Sequence, residues 1–280
     1  MNYKKKSIIF FAIIVVLAMG IFFSIYLYVG GGTKEVKAAK RFIGIVYSYD
    51  IVDKSENKDQ ISYKSLSKSD SSSLKETYSV TTRDFGIDID SEFNVIGFSN
   101  NVSKVGSVNI SENKARDLAE EYLSHIYKGK YGFKEIIKDE STEKSPYYSL
   151  VFTKYADGYP YYTDQIMVSI NKNSGKMDGY SNSTSQGEPE KVKINKSQDE
   201  AEDIAIKAFS KLNKDAEIVE NTYKAFAGDR DKVRTELCYI VTLKGIDADN
   251  KETKVKYFIS TENGNVVNTV KDKISSAIGS

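Results

Sequence analysis

The sequence predicts an α+β protein, in which an N-terminal transmembrane helix is followed by tandem units, each a helix and an antiparallel meander. Three observations predict it. Residues 7–29 form a run without a charge. Apolar residues at helical spacing open each of three later stretches. The strands that follow the second and third of these helices superimpose at a nearly constant offset.

The apolar run reads SIIFFAIIVVLAMGIFFSIYLYV. At 1.5 Å per residue such a helix spans about 30 Å or slightly more, the thickness of a bilayer core. Lys4, Lys5 and Lys6 precede it and Gly30, Gly31 and Gly32 follow. Positive residues stay on the cytoplasmic side, so residues 1–6 are expected as a cytoplasmic tail and the bulk of the chain outside. A cleaved signal peptide is the competing reading. The run exceeds a typical signal core of about 7–15 residues and continues past Ala18 and Gly20, which favours an uncleaved signal anchor. No cysteine closes the segment, so lipoprotein attachment is excluded. Cys238 is the single cysteine and allows no intrachain disulfide. An unstapled external domain suits a bacterial cell membrane, the expected location. Lys+Arg is 40 against 39 Asp+Glu, so no large net charge argues for a nucleic-acid partner.

Val36, Ala39, Phe42, Ile43, Val46 and Tyr47 predict a helix over about 34–48. The polar stretch ending in KSLSKSDSSSLK (64–75) reads as a flexible loop. TYSVTTRDFGIDID and FNVIGFS read as strands around a turn at Ser91 to Asn94. Together these mark 34–100 as a candidate degenerate first unit. The second unit, 110–182, opens with Ser111 as N-cap of a helix to about Tyr127, whose stripe includes Ala115, Ala119 and Leu123. Strand 147–154, a turn at Ala156-Asp157-Gly158, and alternating Ile166, Val168 and Ile170 follow; Asn171 to Gly175 turns the chain back. The third unit, 194–271, opens with the capping box Ser197-Gln-Asp-Glu200 and the stripe Ala201, Ala205 and Phe209. Strands are expected at about 219–227, 235–244 and 253–260, then a turn at Glu262-Asn263-Gly264. Setting Ile170 on Ile259 sets Gly175 on Gly264; the helices align with a shift of 86 and the hairpins with a shift of 89.

The motifs that could carry chemistry have plainer explanations. Gly175-Lys176 is followed by Met177 and lies between strands, so no helix N-terminus backs it as a phosphate cradle would require. Asn171-x-Asn173-x-Gly175 and Asp247-x-Asp249 resemble pieces of calcium loops but lack the full oxygen set; Asn and Asp are ordinary turn residues. His125 is the only histidine, which rules out a two-histidine zinc site within one chain, and it falls at the edge of its helix's apolar stripe. There is no G-x-S-x-G elbow. Cys238 sits in ELCYIVTL, where cysteine acts as a small hydrophobe. No carboxylate pair stands out and the chain has no Trp to stack a sugar. No catalytic residue, cofactor or metal is therefore assigned, and a non-enzyme is expected. Tyrosines cluster on the hairpin around residue 157. Core packing accounts for most of them, but one helix layer buries only one face of a strand. Tyr155, Tyr159, Tyr161 and Tyr162 are therefore the candidate protein-binding surface.

The helix openings Ile-Ser and Ile-Asn-Lys-Ser, the Gly-Tyr-Pro-Tyr of 158–161, Asp164-x-Ile-x-Val-x-Ile170 and Ser-Gly-Lys at 174–176 resemble PepSY-type domains. The nearest variety is the YcdB/YcdC repeat of bacterial envelope proteins, over 110–182 and, with fewer matching positions, 194–271. In the later unit, Thr253 to Ile259 lacks the Gly-x-Pro lead-in. The resemblance implies non-catalytic work outside the membrane, as a regulating, inhibiting or chaperoning partner of a peptidase or wall hydrolase. An anchor followed by such repeats also resembles accessory germination proteins that support a spore cortex-lytic enzyme. The resemblance carries no catalytic residue onto this chain. An envelope hydrolase with an unrecognised carboxylate site is the competing class.

Overall fold

The computed structural model of the protein describes residues 33–53, 63–69, 77–102, 106–138, 144–184, 189, 191–228 and 235–272. The expected tail and anchor, 1–29, lie outside them. Among the described residues no helix is long and apolar enough to cross a membrane.

The described elements mix three helices with strands that pair mostly antiparallel, β10 and β7 being the parallel pair. In chain order they are α1 (Lys34–Ser48), β1 (Tyr63–Ser69), β2 (Thr77–Thr82), β3 (Phe85–Asp90), β4 (Val95–Asn100), α2 (Glu112–Ile126), β5 (Lys130–Ile136), β6 (Tyr147–Ala156), β7 (Tyr159–Asn171), β8 (Met177–Asn182), α3 (Gln198–Phe209), β9 (Lys214–Ile218), β10 (Tyr223–Gly228), β11 (Thr235–Ile246), β12 (Glu252–Ser260) and β13 (Val266–Asp272). Contacts divide the chain into two compact units. Of the described residues, the first comprises those within 33–128, 133–151 and 166–183, and the second those within 129–132, 152–165 and 184–272.

In the first unit the strands run in the order β1-β2-β3-β4-β8-β7. Strands β4 (VIGFSN) and β8 (MDGYSN) share a Gly-aromatic-Ser-Asn ending and pair antiparallel, with Gly97 opposite Ser181, Phe98 opposite Tyr180 and Ser99 opposite Gly179. Each strand thus meets its own pattern reversed, a local pseudo-twofold arrangement within one chain. Alternation sends Val80, Ile87, Phe98, Val168 and Tyr180 into the core, where each is at most 5% exposed. Helix α1 buries Val36, Ala39, Phe42, Ile43 and Val46 there, and the Phe42 ring lies 5.4 Å from that of Phe98. The chain after α1 then straps the β7–β8 hairpin. Met177 N donates to Ile51 O at 2.9 Å, and Lys176 Nζ reaches the Asp50 carbonyl and carboxylate, each at 2.7 Å.

In the second unit β10-β11-β12-β13 form an antiparallel sheet, with β9 added to the far end of β11. Its two faces are both covered. On one, Ala201, Ala205 and Phe209 of α3 pack with Tyr239, Val241, Leu243, Tyr257 and Ile259. On the other, Ala225, Ala227, Cys238, Ile240 and Phe258 cluster with Tyr162, Val267 and Val270. Strand β11 is consequently buried almost end to end. Strand β13 covers that second face with Val267 and Val270.

Both units fasten helix to hairpin in the same way, at the offsets read from the sequence. Asn109 N and Ile110 N donate to Lys172 O; Asn195 N and Lys196 N donate to Thr261 O. Ser111 and Ser197 are the N-caps, and Ser197–Glu200 forms the full capping box. Gly175 (φ +74°) and Gly264 (φ +76°) turn the hairpins in the left-handed region that favours glycine. Leu118 and Ile204 press on them: a Cβ at either glycine would lie 3.0 Å from the leucine or isoleucine Cδ1. Tyr122 donates to Gly175 O at 3.1 Å; burial above all, then Glu121, Asp50 and Asp53, pushes its phenol up to about 12, so it remains a donor.

The structure departs from the sequence reading at four places. Residues 77–90 are two strands, because Thr82 Oγ1 accepts from Phe85 N at 3.0 Å and closes a turn around Arg83 and Asp84. The serine-rich stretch is not all loop: 63–69 is β1, whose backbone pairs with β2, while 70–75 lies outside the described residues. Strands β5 and β9 went unread because KYGFKEI and KDAEI have no fully buried position to set an alternation. Strand β10 starts at Tyr223, later than the 219 expected.

Candidate protein-binding surface

The β6–β7 hairpin turns at Asp157 (φ +48°) and Gly158 (φ +84°), two left-handed residues as a tight two-residue hairpin requires. Its four candidate tyrosines do not form one surface. Tyr161 is 3% exposed and belongs to the core with Phe226 and Leu237. Its ring lies 5.0 Å from Phe226, and Lys154 Nζ stands 4.6 Å from its centroid. This corrects its assignment as a contact residue: strand β10 pairs with β7 at Phe226 and Tyr161 and closes over the ring. Tyr162 points to the opposite face, edge-on to Phe258 at 4.7 Å, and is half-buried there. Tyr155 lies over Gly132, where a Cβ would come within 2.9 Å of its ring. The glycine in β5 is what admits the tyrosine.

Tyr159 remains partly exposed, edge-on to Phe226 at 6.4 Å. Lys224 Nζ stands between two rings, 5.7 Å from Tyr159 and 5.4 Å from Tyr239. Lys154, Tyr159 and Lys224 thus line the hairpin face with amine and phenol groups over an aromatic floor. Such a face can accept carboxylates and stack against rings of a partner segment. Sequence reasoning missed the lysines, since only the pairing of β7 with β10 brings residue 224 beside residue 159.

The other residues weighed in the sequence take part in packing and turns. His125 stacks on Tyr49 with ring centroids 3.7 Å apart. Cys238 is fully buried; desolvation first, then Glu236, pushes its thiol far above the usual range, which disfavours the thiolate. Asn171 Oδ1 accepts from Asn173 N and Ser174 N, and Asp247 Oδ1 from Asp249 N and Lys251 N, so both acid-or-amide loops hold their own turns. Among the described residues no group of three or more His, Cys, Asp or Glu could hold a metal ion. Tyr223 is pushed up to about 12, by burial and then by Tyr162 and Glu220.

The fold defines a class: an α+β protein in which a capped helix is hydrogen-bonded to the turn of a later hairpin, and the arrangement recurs along the chain. The family profile described as the YcdB, YcdC repeated domain matches residues 33–184, more than half of the chain, and the protein belongs to that family. Among solved structures it is similar to the Bacillus megaterium YpeB C-terminal domain, with 16% identity and a TM-score of 0.46, over 82% of this chain and 95% of that one. No curated protein sequence matches it.

Proposed function

We propose that the protein is a single-pass, extracytoplasmic interaction module of a bacterial envelope. It is built of tandem PepSY-like units behind the 7–29 anchor and has no chemistry of its own. Its partner is a secreted or envelope peptidase, or a wall hydrolase, that it regulates, inhibits or stabilises. The observation that carries this reading is the partly exposed Tyr159 beside Lys224 and Lys154, on a hairpin whose other tyrosines are taken up by the core. Membership in the YcdB, YcdC repeated-domain family supports it. So does the use of His125, Cys238, Asn171 and Asp247 in packing and turns. Support of a spore cortex-lytic enzyme is the narrower form of the same reading.

The test is photocrosslinking in intact cells from a reactive residue at position 159, with the same residue at Leu212 as control. Leu212 is 77% exposed and lies away from the hairpin in sequence. Enrichment of one envelope hydrolase from position 159 alone is the expected result. Hydrolysis of peptide or peptidoglycan by the purified protein, abolished by substitution of a defined carboxylate, overturns it in favour of an enzyme. Equal crosslinking from both positions leaves only a passive spacer.

A further inference from the structure

We infer that the N-terminal end of α1 and the β3–β4 turn rest on the bilayer surface, with Phe93 in the interface and the basic face of α1 on anionic headgroups. This rests on the reading of 7–29 as an anchor. Only residues 30–33 separate that apolar run from the first residue of α1. An extended chain covers at most about 3.5 Å per residue, so Lys34 starts within roughly 20 Å of the apolar core. The headgroup layer occupies about the first 5–7 Å of that distance. The glycines at 30–32 permit the chain to change direction there.

Two features of the region suit a lipid surface. The first is Phe93. In the β7–β8 and β12–β13 turns the left-handed position is glycine, Gly175 and Gly264; in the β3–β4 turn it is Phe93, at φ +66°. A large side chain is held in a backbone conformation that disfavours it, and yet the ring is 36% exposed. It is not among the buried residues of the core. An apolar ring flanked by lysine suits a segment lying in the membrane–water interface, and Lys34 Nζ stands 5.4 Å from the Phe93 centroid.

The second is the charge of α1. Lys34, Lys37, Lys40 and Arg41 are exposed, and Glu35 is the only acidic residue of the helix. At 100° per residue Lys34, Lys37 and Arg41 fall within about 60° of one another, on the side away from the buried stripe. On the turn, Glu92 is the exposed carboxylate, while Asp90 is turned inward and accepts from Glu92 N and Asn94 N at 2.9 Å. A basic face joined to an exposed ring is complementary to anionic lipid, whose attraction adds to the burial of the ring.

The chain has no tryptophan, so Phe93→Trp gives a single reporter in the full-length protein. The protein is reconstituted into vesicles of phosphatidylcholine and phosphatidylglycerol, with and without brominated acyl chains. The expected result is about twofold or greater quenching of F93W by brominated lipid, against little for L212W. In the K34Q/K37Q/R41Q background the excess quenching falls by about half or more. Quenching of F93W no greater than that of L212W, in protein that resists alkaline extraction from the vesicles, overturns the surface contact while leaving the anchor intact. Release of the protein by alkaline extraction overturns both. Full F93W quenching retained in the triple variant overturns the role of the basic face.

Discussion

Tyr239 donates its hydroxyl hydrogen to the backbone carbonyl of Lys196 at 2.9 Å, tying the middle of β11 to the residue before the N-cap of α3. Tyr148 does the same to Ile110, the residue before the N-cap of α2, at 3.1 Å. The two bonds are equivalent parts of the repeated junction. Tyr239→Phe and Tyr148→Phe each keep the ring and remove one side-chain bond, at a cost of about 1 kcal/mol. Urea denaturation followed by circular dichroism should show the two losses equal within about 0.5 kcal/mol. A loss at one site and none at the other would show that the junctions are not energetically alike.

The turn glycines predict opposite effects in different hairpins. Gly175→Ala and Gly264→Ala place a Cβ in the left-handed region and 3.0 Å from Leu118 or Ile204. Each should destabilise by about 1–2 kcal/mol. Phe93→Gly relieves the same strain and gives up a ring that is 36% exposed and one lysine–ring contact worth about 0.5 kcal/mol. Melting temperature should therefore rise in F93G and fall in the two alanine variants. A fall in F93G would mean that the ring stabilises the fold more than its exposure indicates.

Most of the repeated architecture was legible because its determinants are local. Ser111 and Ser197, the alanine stripes and the two turn glycines announce helix starts, helix faces and hairpin tips within a few residues. The pairing of β4 with β8 was not read from the sequence; the shared Gly-aromatic-Ser-Asn ending of VIGFSN and MDGYSN is visible only once the two strands lie side by side. The tyrosine surface was not legible. Tyr159, Tyr161 and Tyr162 are close in sequence, but their exposure is set by Phe226 and Phe258, which tertiary pairing brings from far along the chain. Strands β5 and β9 gave no alternation because nothing in them is fully buried.

Two buried threonines in the second unit should respond oppositely to the same change. Thr253 is 1% exposed and its Oγ1 has no hydrogen-bond partner among the described residues. Thr242 is also 1% exposed, and its Oγ1 donates to Glu220 Oε2 at 2.8 Å. Valine preserves the β-branched shape in both. Thr253→Val removes an unsatisfied hydroxyl and should stabilise by about 1 kcal/mol. Thr242→Val removes a bond to a charged acceptor and should cost about 1.5–3 kcal/mol. Equal effects of one sign would show that Thr253 finds a partner in solution.

Acid should weaken the second unit through Glu220. Hydrogen bonds from Lys254 Nζ at 2.6 Å and from Thr242 hold its carboxyl below the usual glutamate range, in that order of effect. A folded-state value below the unfolded one means that the folded protein binds the proton less readily. The resulting stability is fully present above the unfolded value of about 4.3 and is lost as pH falls through the lower folded value. Glu200, held down by the Ser197 amide and then Lys196, and Asp247, held down chiefly by the Lys251 amide, act in the same direction and in the same unit. Glu220→Gln keeps an acceptor for Thr242 but cannot titrate. Stability measured from about pH 6 down to pH 3 should therefore fall less steeply in E220Q than in the parent protein, and the two curves should converge at the acid end. Parallel curves would place the acid sensitivity elsewhere, leaving the Lys254–Glu220 contact as a solvated pair of little consequence.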